Sequence, residues 1–256
     1  MSAGSVRGAT RRRERTRPMA SYDAFGKFYD AVMGDRAKAT ERLRGFIRKA
    51  SPKAKNVLEL ACGTGSVLKH FSKHYHVYGL DLSKQMLSIA KKKVPQAKLS
   101  RQNMVTFQLR ERFDAICCVF DSMNHVSSFS HWEALFRNVR QHLSTGGVFV
   151  FDINTQKKLN RLMAEPAWVH RFGNNLLIMK VTGTGKNRES NWNIKVFERT
   201  RRNRYLLHEE DIQEVSFPTR KIVRALKVHF PSVEIIDPDR KRPSMESERL
   251  YFICKT

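Results

Sequence analysis

Between Val57 and Phe71 the chain reads Val-Leu-Glu-Leu-Ala-Cys-Gly-Thr-Gly-Ser-Val-Leu-Lys-His-Phe, an apolar strand that meets Gly63-Thr64-Gly65 and passes into a helical pattern. A strand, glycine turn and helix in that order present backbone N–H groups and the positive end of a helix at the carboxyl edge of a sheet, where an anionic or polar cofactor group binds. A dinucleotide fingerprint needs a third glycine three residues after the second, and Leu68 stands there. The loop therefore suits a ligand without a pyrophosphate. A second acid, Asp81, ends Val77-Tyr78-Gly79-Leu80-Asp81, 18 residues beyond Gly63. A carboxylate at a strand tip accepts both hydroxyls of a ribose; it can also cap the next helix, a task open to Ser83 as well.

Other reactive side chains carry less chemistry. His70, His74 and His76 have ligand-like spacing, yet no neighbouring acid or cysteine completes a set, so no metal site is expected. His125 follows an apolar strand in a loop and reads either as a proton relay or as hydrogen-bonded structure. Arg199, Arg201, Arg202 and Arg204 crowd a hairpin tip, as a solvated turn or a phosphate clamp. The four cysteines lack a C-x-x-C pair, and Cys117-Cys118 lie inside an apolar run. They read as reduced, buried thiols of a cytoplasmic protein.

The elements that must position these groups follow from periodicity. Two helices are expected at Ser21–Met33 and Asp35–Ala50, the second stopped by Pro52. Strands near Asn56–Leu60, His76–Leu80, Ala97–Ser100, Phe113–Phe120 and Gly147–Ile153 alternate with helices near Gly65–Lys73, Ser83–Lys93 and His131–Leu143. That rhythm predicts an α/β fold of right-handed βαβ units, a doubly wound, mostly parallel sheet. From about residue 166 to 215 the pattern changes to extended segments (Leu176–Val181, Trp192–Arg199, Tyr205–Glu214), a small inserted antiparallel β meander. A helix at Thr219–Phe230 and strands at Val233–Ile236 and Arg249–Cys254 close the chain.

With 256 residues the chain suits one large domain, 19–256, behind a basic leader, 1–18. The leader holds six arginines against one glutamate, +5 of the formal +24, and almost no apolar residues, so disorder is expected there. It reads as a solvated tail, a nucleic-acid contact or a mitochondrial transit peptide, unless Met19 is the true start. No apolar run approaches a membrane span.

Taken together, E-x-A-C-G-T-G, G-L-D-L-S-x-x-M-L, F-D-A-I-x-x-x-F-D-S-x-N-H and L-x-x-G-G-V-F-V-F-D-I-N-T resemble the class I S-adenosylmethionine-dependent methyltransferases over about residues 20–160. Phe25–Asp30 and Phe120–His125 are similar to the amino-sugar N,N-dimethyltransferases, and the last strand is similar to that of bacterial members without an assigned substrate. The resemblance implies a Rossmann-like, seven-stranded sheet with an antiparallel last strand. It implies that Ala61, Gly63 and Gly65 pack against the methionine part of S-adenosyl-L-methionine, with Glu59 on its amino group. Asp81 would take the ribose, Leu82 and Met86 the adenine slot, and Asn103 and Met104 the adenine edge, where the family usually has Asp for Asn103. Phe120 and Asp121 would border the methyl group and acceptor. Tyr22 and Tyr29, seven residues apart on the first helix, would cover the cofactor. Tyr29, Asp121 and His125 are the expected catalytic residues.

The implied reaction is methyl transfer to N or O of a small molecule, with the meander as lid or homodimer surface. RNA or protein methylation on the basic surface, and cofactor binding without turnover, are the other readings. Against RNA, Asp121-Ser122-Met123-Asn124 stands where base methyltransferases carry Asn-Pro-Pro-aromatic.

Overall fold

The structure, a computed structural model, describes residues 22, 24–185, 188–201 and 204–256. The expected leader, the start of the first helix at Ser21, and Arg202 of the arginine-rich hairpin lie outside the described residues. The chain begins with a 3-10 turn, Gly26–Phe28, and α1 (Tyr29–Met33), then α2 (Ala37–Ala50), β1 (Asn56–Leu60), α3 (Ser66–Phe71), β2 (His76–Asp81), α4 (Lys84–Lys93), β3 (Lys98–Arg101) and β4 (Phe113–Cys118). A 3-10 turn, Ser122–His125, leads to α5 (Phe129–His142), β5 (Leu143–Asn154) and α6 (Gln156–Ala164). Next come β6 (Trp168–Phe172), β7 (Asn175–Gly183), β8 (Glu189–Arg199), β9 (Tyr205–Val215), α7 (Thr219–Leu226), β10 (Ser232–Ile236) and β11 (Arg249–Lys255).

Seven strands form one sheet in the order β10-β11-β5-β4-β1-β2-β3. β1 through β5 run parallel, and β11 pairs antiparallel with both β5 and β10. The strand order reverses between β1 and β4, so the carboxyl ends of those strands open a crevice, the usual ligand position in such sheets. The expected α/β architecture is therefore found. A second sheet, β6-β7-β8-β9, is antiparallel throughout and extends the expected meander by one strand, Trp168–Phe172.

Alternation along the central strand explains the two-faced core. Ile116 and Cys118 of β4 join Trp132, Phe136, Phe149, Phe151 and Phe252 on one face; Ala115, Cys117 and Val119 join Leu43, Ile47, Val67 and Phe71 on the other. All four cysteines are free and buried, and burial raises each thiol above its ordinary pKa, so none is poised as a nucleophile. A third cluster joins Phe25 and Phe28 to Leu177, Ile194, Val196 and Ile212, fastening the N-terminal segment to the second sheet. Among the described residues no helix is long and apolar enough to cross a membrane.

The first helix differs from expectation. Tyr22 has φ 54° and lies outside any helix, and α1 is one short stretch ended by Gly34. Gly26, inside the expected helix, favours the tighter turn instead. β4 stops at Cys118, two residues early, because Phe120 and Asp121 adopt left-handed backbone at φ 59° and 57°. Helix α6 was not foreseen; its nine residues contain a single buried side chain, Leu159.

Candidate active site

Gly63 and Gly65 turn the chain off β1 at φ 52° and 74°. At Gly65 a Cβ would stand 3.0 Å from the Cβ of Ala90, so glycine there also lets α3 approach α4. Cys62 N–H donates to the Leu80 carbonyl at 2.9 Å, and Gly63 N–H to Asp81 Oδ2 at 2.9 Å, so the turn is bound to the tip of β2. Asp81 Oδ1 accepts the Ser83 N–H at 2.9 Å, while Ser83 Oγ caps α4 by accepting from Met86 N–H at 3.1 Å. Capping thus falls to Ser83, and Asp81 holds the two loops that face the crevice.

A cavity of about 610 Å³ opens beside this turn. Tyr22, Tyr29, Ala61, Gly63, Asp81 and Leu82 line it, with Met86, Met104, Phe120 and His125. Glu59 lines a small adjoining space with Tyr29, Ala61 and Gly63. Two expected positions, Asn103 and Gly65, line neither space. Asn103 lines none of these spaces: its Oδ1 accepts the Val105 N–H at 2.8 Å, and Gln102 faces the cavity in its stead. Gly65 packs on α4, and Asp121 lines the neighbouring cavity.

Glu59 tests whether an amino-bearing cofactor fits. It is 3% exposed, and its Oε2 is buried with no hydrogen-bond partner. Burial, then the Asp81 charge, pushes its carboxyl well above the usual range. A buried acceptor left unpaired is costly, and an ammonium group placed against it removes that cost. The residues present fit S-adenosylmethionine.

The second cavity, about 780 Å³, lies between the two sheets. It shares Tyr22, Tyr29 and Phe120 with the first. Trp168, Trp192, Leu177 and Met179 of the antiparallel sheet form apolar walls; Asp121, Lys158, Glu214 and Arg249 bring charge. Arg249 donates to Asp121 Oδ1 at 2.6 Å, to Asn154 Oδ1 at 3.0 Å and to Asp152 Oδ2. Burial raises the Asp121 carboxyl, but Arg249, Lys158 and His125 together bring it below its usual pKa. Glu214, 3% exposed, accepts from Asn154 Nδ2 at 3.0 Å, and burial together with the Asp121 charge holds it well above the carboxylate range.

His125 lines the first cavity beside Tyr22, which both cavities share. Its Nδ1 lies 3.2 Å from the Gln213 carbonyl, which can only accept, so Nδ1 carries the proton and Nε2 accepts from the Tyr22 hydroxyl at 3.0 Å. Burial lowers its pKa from 6.5, leaving a neutral imidazole. Tyr22 also meets Tyr29 edge to face at 6.0 Å, so the two tyrosines converge through a turn and not along one helical face. Ligand atoms of Asp121, His125 and Glu214 lie within 4.8 Å of one another, a spacing a metal could use, but Arg249 and Lys158 already supply positive charge to these acids. His70 instead faces Asp35 at 3.2 Å.

Strain concentrates here. Of the five non-glycine residues with positive φ among the described residues, Tyr22, Ala61, Phe120 and Asp121 all line these cavities. Sequence reasoning missed Glu214, Lys158, Arg249 and Asn154. Glu214 carried a signal: it shares the inward, period-two face of β9 with Ile212, where an acid is out of pattern.

A family profile described as a methyltransferase domain matches residues 57–147. The chain is 35% identical over 141 residues to dTDP-3-amino-3,6-dideoxy-alpha-D-glucopyranose N,N-dimethyltransferase of Streptomyces fradiae, covering 53% of this chain and 55% of that protein. The chain thus spans about half the length, 55%, of each of the two amino-sugar relatives it matches first. A putative methyltransferase of Bacillus subtilis, YqeM, is 25% identical over 253 residues, covering 90% of this chain and 95% of that protein. Among solved structures, a S-adenosylmethionine-dependent methyltransferase from Clostridium acetobutylicum shares the fold with a TM-score of 0.79 at 23% identity, over 91% of this chain and 98% of that one. The profile, the relatives and the crevice at the β1 and β4 tips agree: residues 57–147 match a methyltransferase domain, set in a fold shared with S-adenosylmethionine-dependent methyltransferases.

Proposed function

We propose that the protein transfers a methyl group from S-adenosylmethionine to the nitrogen of a small amine-bearing acceptor, an amino sugar being the favoured class. One observation carries the reading: the glycine-turn cavity and the aromatic, acid-lined cavity meet at Tyr22, Tyr29 and Phe120. Glu59 would hold the amino group of the cofactor and Asp81 its ribose, with Leu82, Met86 and Met104 around the adenine. Bound there, the cofactor supplies a methyl group activated by its sulfonium. The chain's own work is to align the acceptor and exclude water, effects that contribute up to ~7–11 kcal/mol in favourable cases. Tyr22 and Tyr29 present aromatic surface to a cation, an attraction of about 0.5–2 kcal/mol. The neutral His125 can take a proton at Nε2 once the Tyr22 hydroxyl yields, and the Asp121 carboxylate favours a cationic acceptor beside it. Amino-sugar N-methylation by the matched relatives supports this acceptor class.

The test is labelled methyl transfer into nucleotide-linked amino sugars, set against RNA, protein and hydroxyl-only sugars. Methylated amine supports the proposal, and label in RNA alone defeats it. The meander carries a further proposal, homodimer formation, because Trp168, Val169, Tyr205, Leu206 and Leu207 on its two edge strands are exposed. Sedimentation equilibrium of wild type against Leu206→Glu reads it; a wild-type monomer at all concentrations overturns it.

A further inference from the structure

A third cleft, with an empty volume of about 1270 Å³, shares no lining residue with the cavities above. It lies among the first turns of α6 and α7, the start of β8 and the segment before β11. Lys157, Arg188 and Arg220 line it, and no aspartate or glutamate does. Elsewhere on this side of the molecule arginines are matched: Arg161 pairs with Glu248 and Glu165, and Arg249 with Asp121 and Asp152. Arg188 and Arg220 have no ion pair among the described residues, and only Lys157 reaches an acid, Glu246, in a contact exposed on both sides.

We propose that this cleft binds a phosphate-bearing small molecule. Two forked guanidiniums can take phosphate oxygens in bidentate pairs. Hydroxyls of Ser216 and Thr219 add donors. Helix α7 starts after Pro218 without a side-chain cap, and Thr219 and Arg220, whose amides open the helix, line the same space at the end whose sign an anion needs. Gln156 lines the cleft too, and its Oε1 is buried with no partner, an acceptor that asks for a donor on the ligand. Anion and donor together describe a phosphorylated, hydroxyl-bearing molecule such as a sugar phosphate. Phe217 and Leu250 close the space as apolar walls, which favours a compact ligand over a polynucleotide tracking an open surface.

Titration calorimetry on the full chain, with inorganic phosphate, a hexose 1-phosphate and a short single-stranded RNA as separate probes, reads the proposal. The hexose phosphate is expected to bind, and Arg188→Gln with Arg220→Gln to weaken it by roughly 100-fold. S-adenosylmethionine affinity in the same double variant is expected to stay within about twofold, which shows the fold intact and separates this site from the transfer reaction. Absence of binding by either phosphate probe, undiminished binding by the double variant, or binding of RNA alone would each overturn it.

Discussion

Replacing Glu59 by glutamine separates a structural acid from a cofactor-holding one. In the free protein the carboxyl is buried beside Asp81 and one oxygen has no partner, so its folded-state pKa stands above the ordinary 4.5. The folded protein therefore binds the proton more tightly than the unfolded chain. Its contribution to stability is whole below about pH 4.5 and falls as pH rises toward the folded pKa, by about 1.4 kcal/mol per pH unit within that window. Glu59→Gln cannot titrate and should flatten that slope in urea unfolding. Cofactor binding should change in the opposite sense. A charge-assisted hydrogen bond to an ammonium contributes about 1.5–3 kcal/mol, so the variant should bind S-adenosylmethionine about 10- to 150-fold more weakly. Because the ammonium needs a carboxylate opposite it, the wild type should also release a proton on binding within the same window. Calorimetry in two buffers of different ionisation enthalpy counts that proton. Equal affinity in the variant, together with no proton released by the wild type, would refute the assignment.

Four further outcomes are expected. His125→Ala should leave cofactor affinity near normal and slow transfer by about 10²–10⁴ if the imidazole relays a proton; the wild-type rate should hold above about pH 6.5 and fall at lower pH as the imidazole gains a proton, an acid limb that the variant lacks. Gly65→Ala should lower unfolding free energy by about 1–2 kcal/mol for left-handed backbone alone. Gly146→Ala, at φ 73° but with nothing within 4 Å of the added Cβ, serves as its control, and the excess measures the collision with Ala90. Arg249→Met strands two carboxylates beside the second cavity and should cost about 3–5 kcal/mol in chemical unfolding, less at acid pH where the acids take up protons.

Much of the fold was legible because hydrophobic period and glycine placement agreed. Asn56–Leu60 was read to the residue, since Val57, Leu58 and Leu60 are buried on both faces of a central strand. Arg249 likewise marked the start of β11. The cavity at the glycine turn was legible for a different reason: its residues cluster within short stretches whose spacing is fixed by one βαβ unit. The second cavity is assembled from Asp121, Lys158, Glu214 and Arg249, which the topology gathers across more than a hundred residues, and no local pattern announces that. Tyr22 lines the expected cavity but not from a helix: its seven-residue spacing from Tyr29 suggests one helical face, while its backbone takes a left-handed turn. Asn103 lines no cavity because its side chain serves its own loop, an Asx-type contact to Val105.

Arg249 sets the order in which this protein can become whole. Its guanidinium stands on β11, a strand that slots between β5 and β10, yet it anchors Asp121 and Asp152 from segments made roughly a hundred residues earlier. While the ribosome is still producing β6 through β10, those acids lack their guanidinium partner and the central sheet has a gap beside β5. A nascent chain can thus form its glycine turn early but acquires a finished acceptor floor only when β11 emerges and zips in.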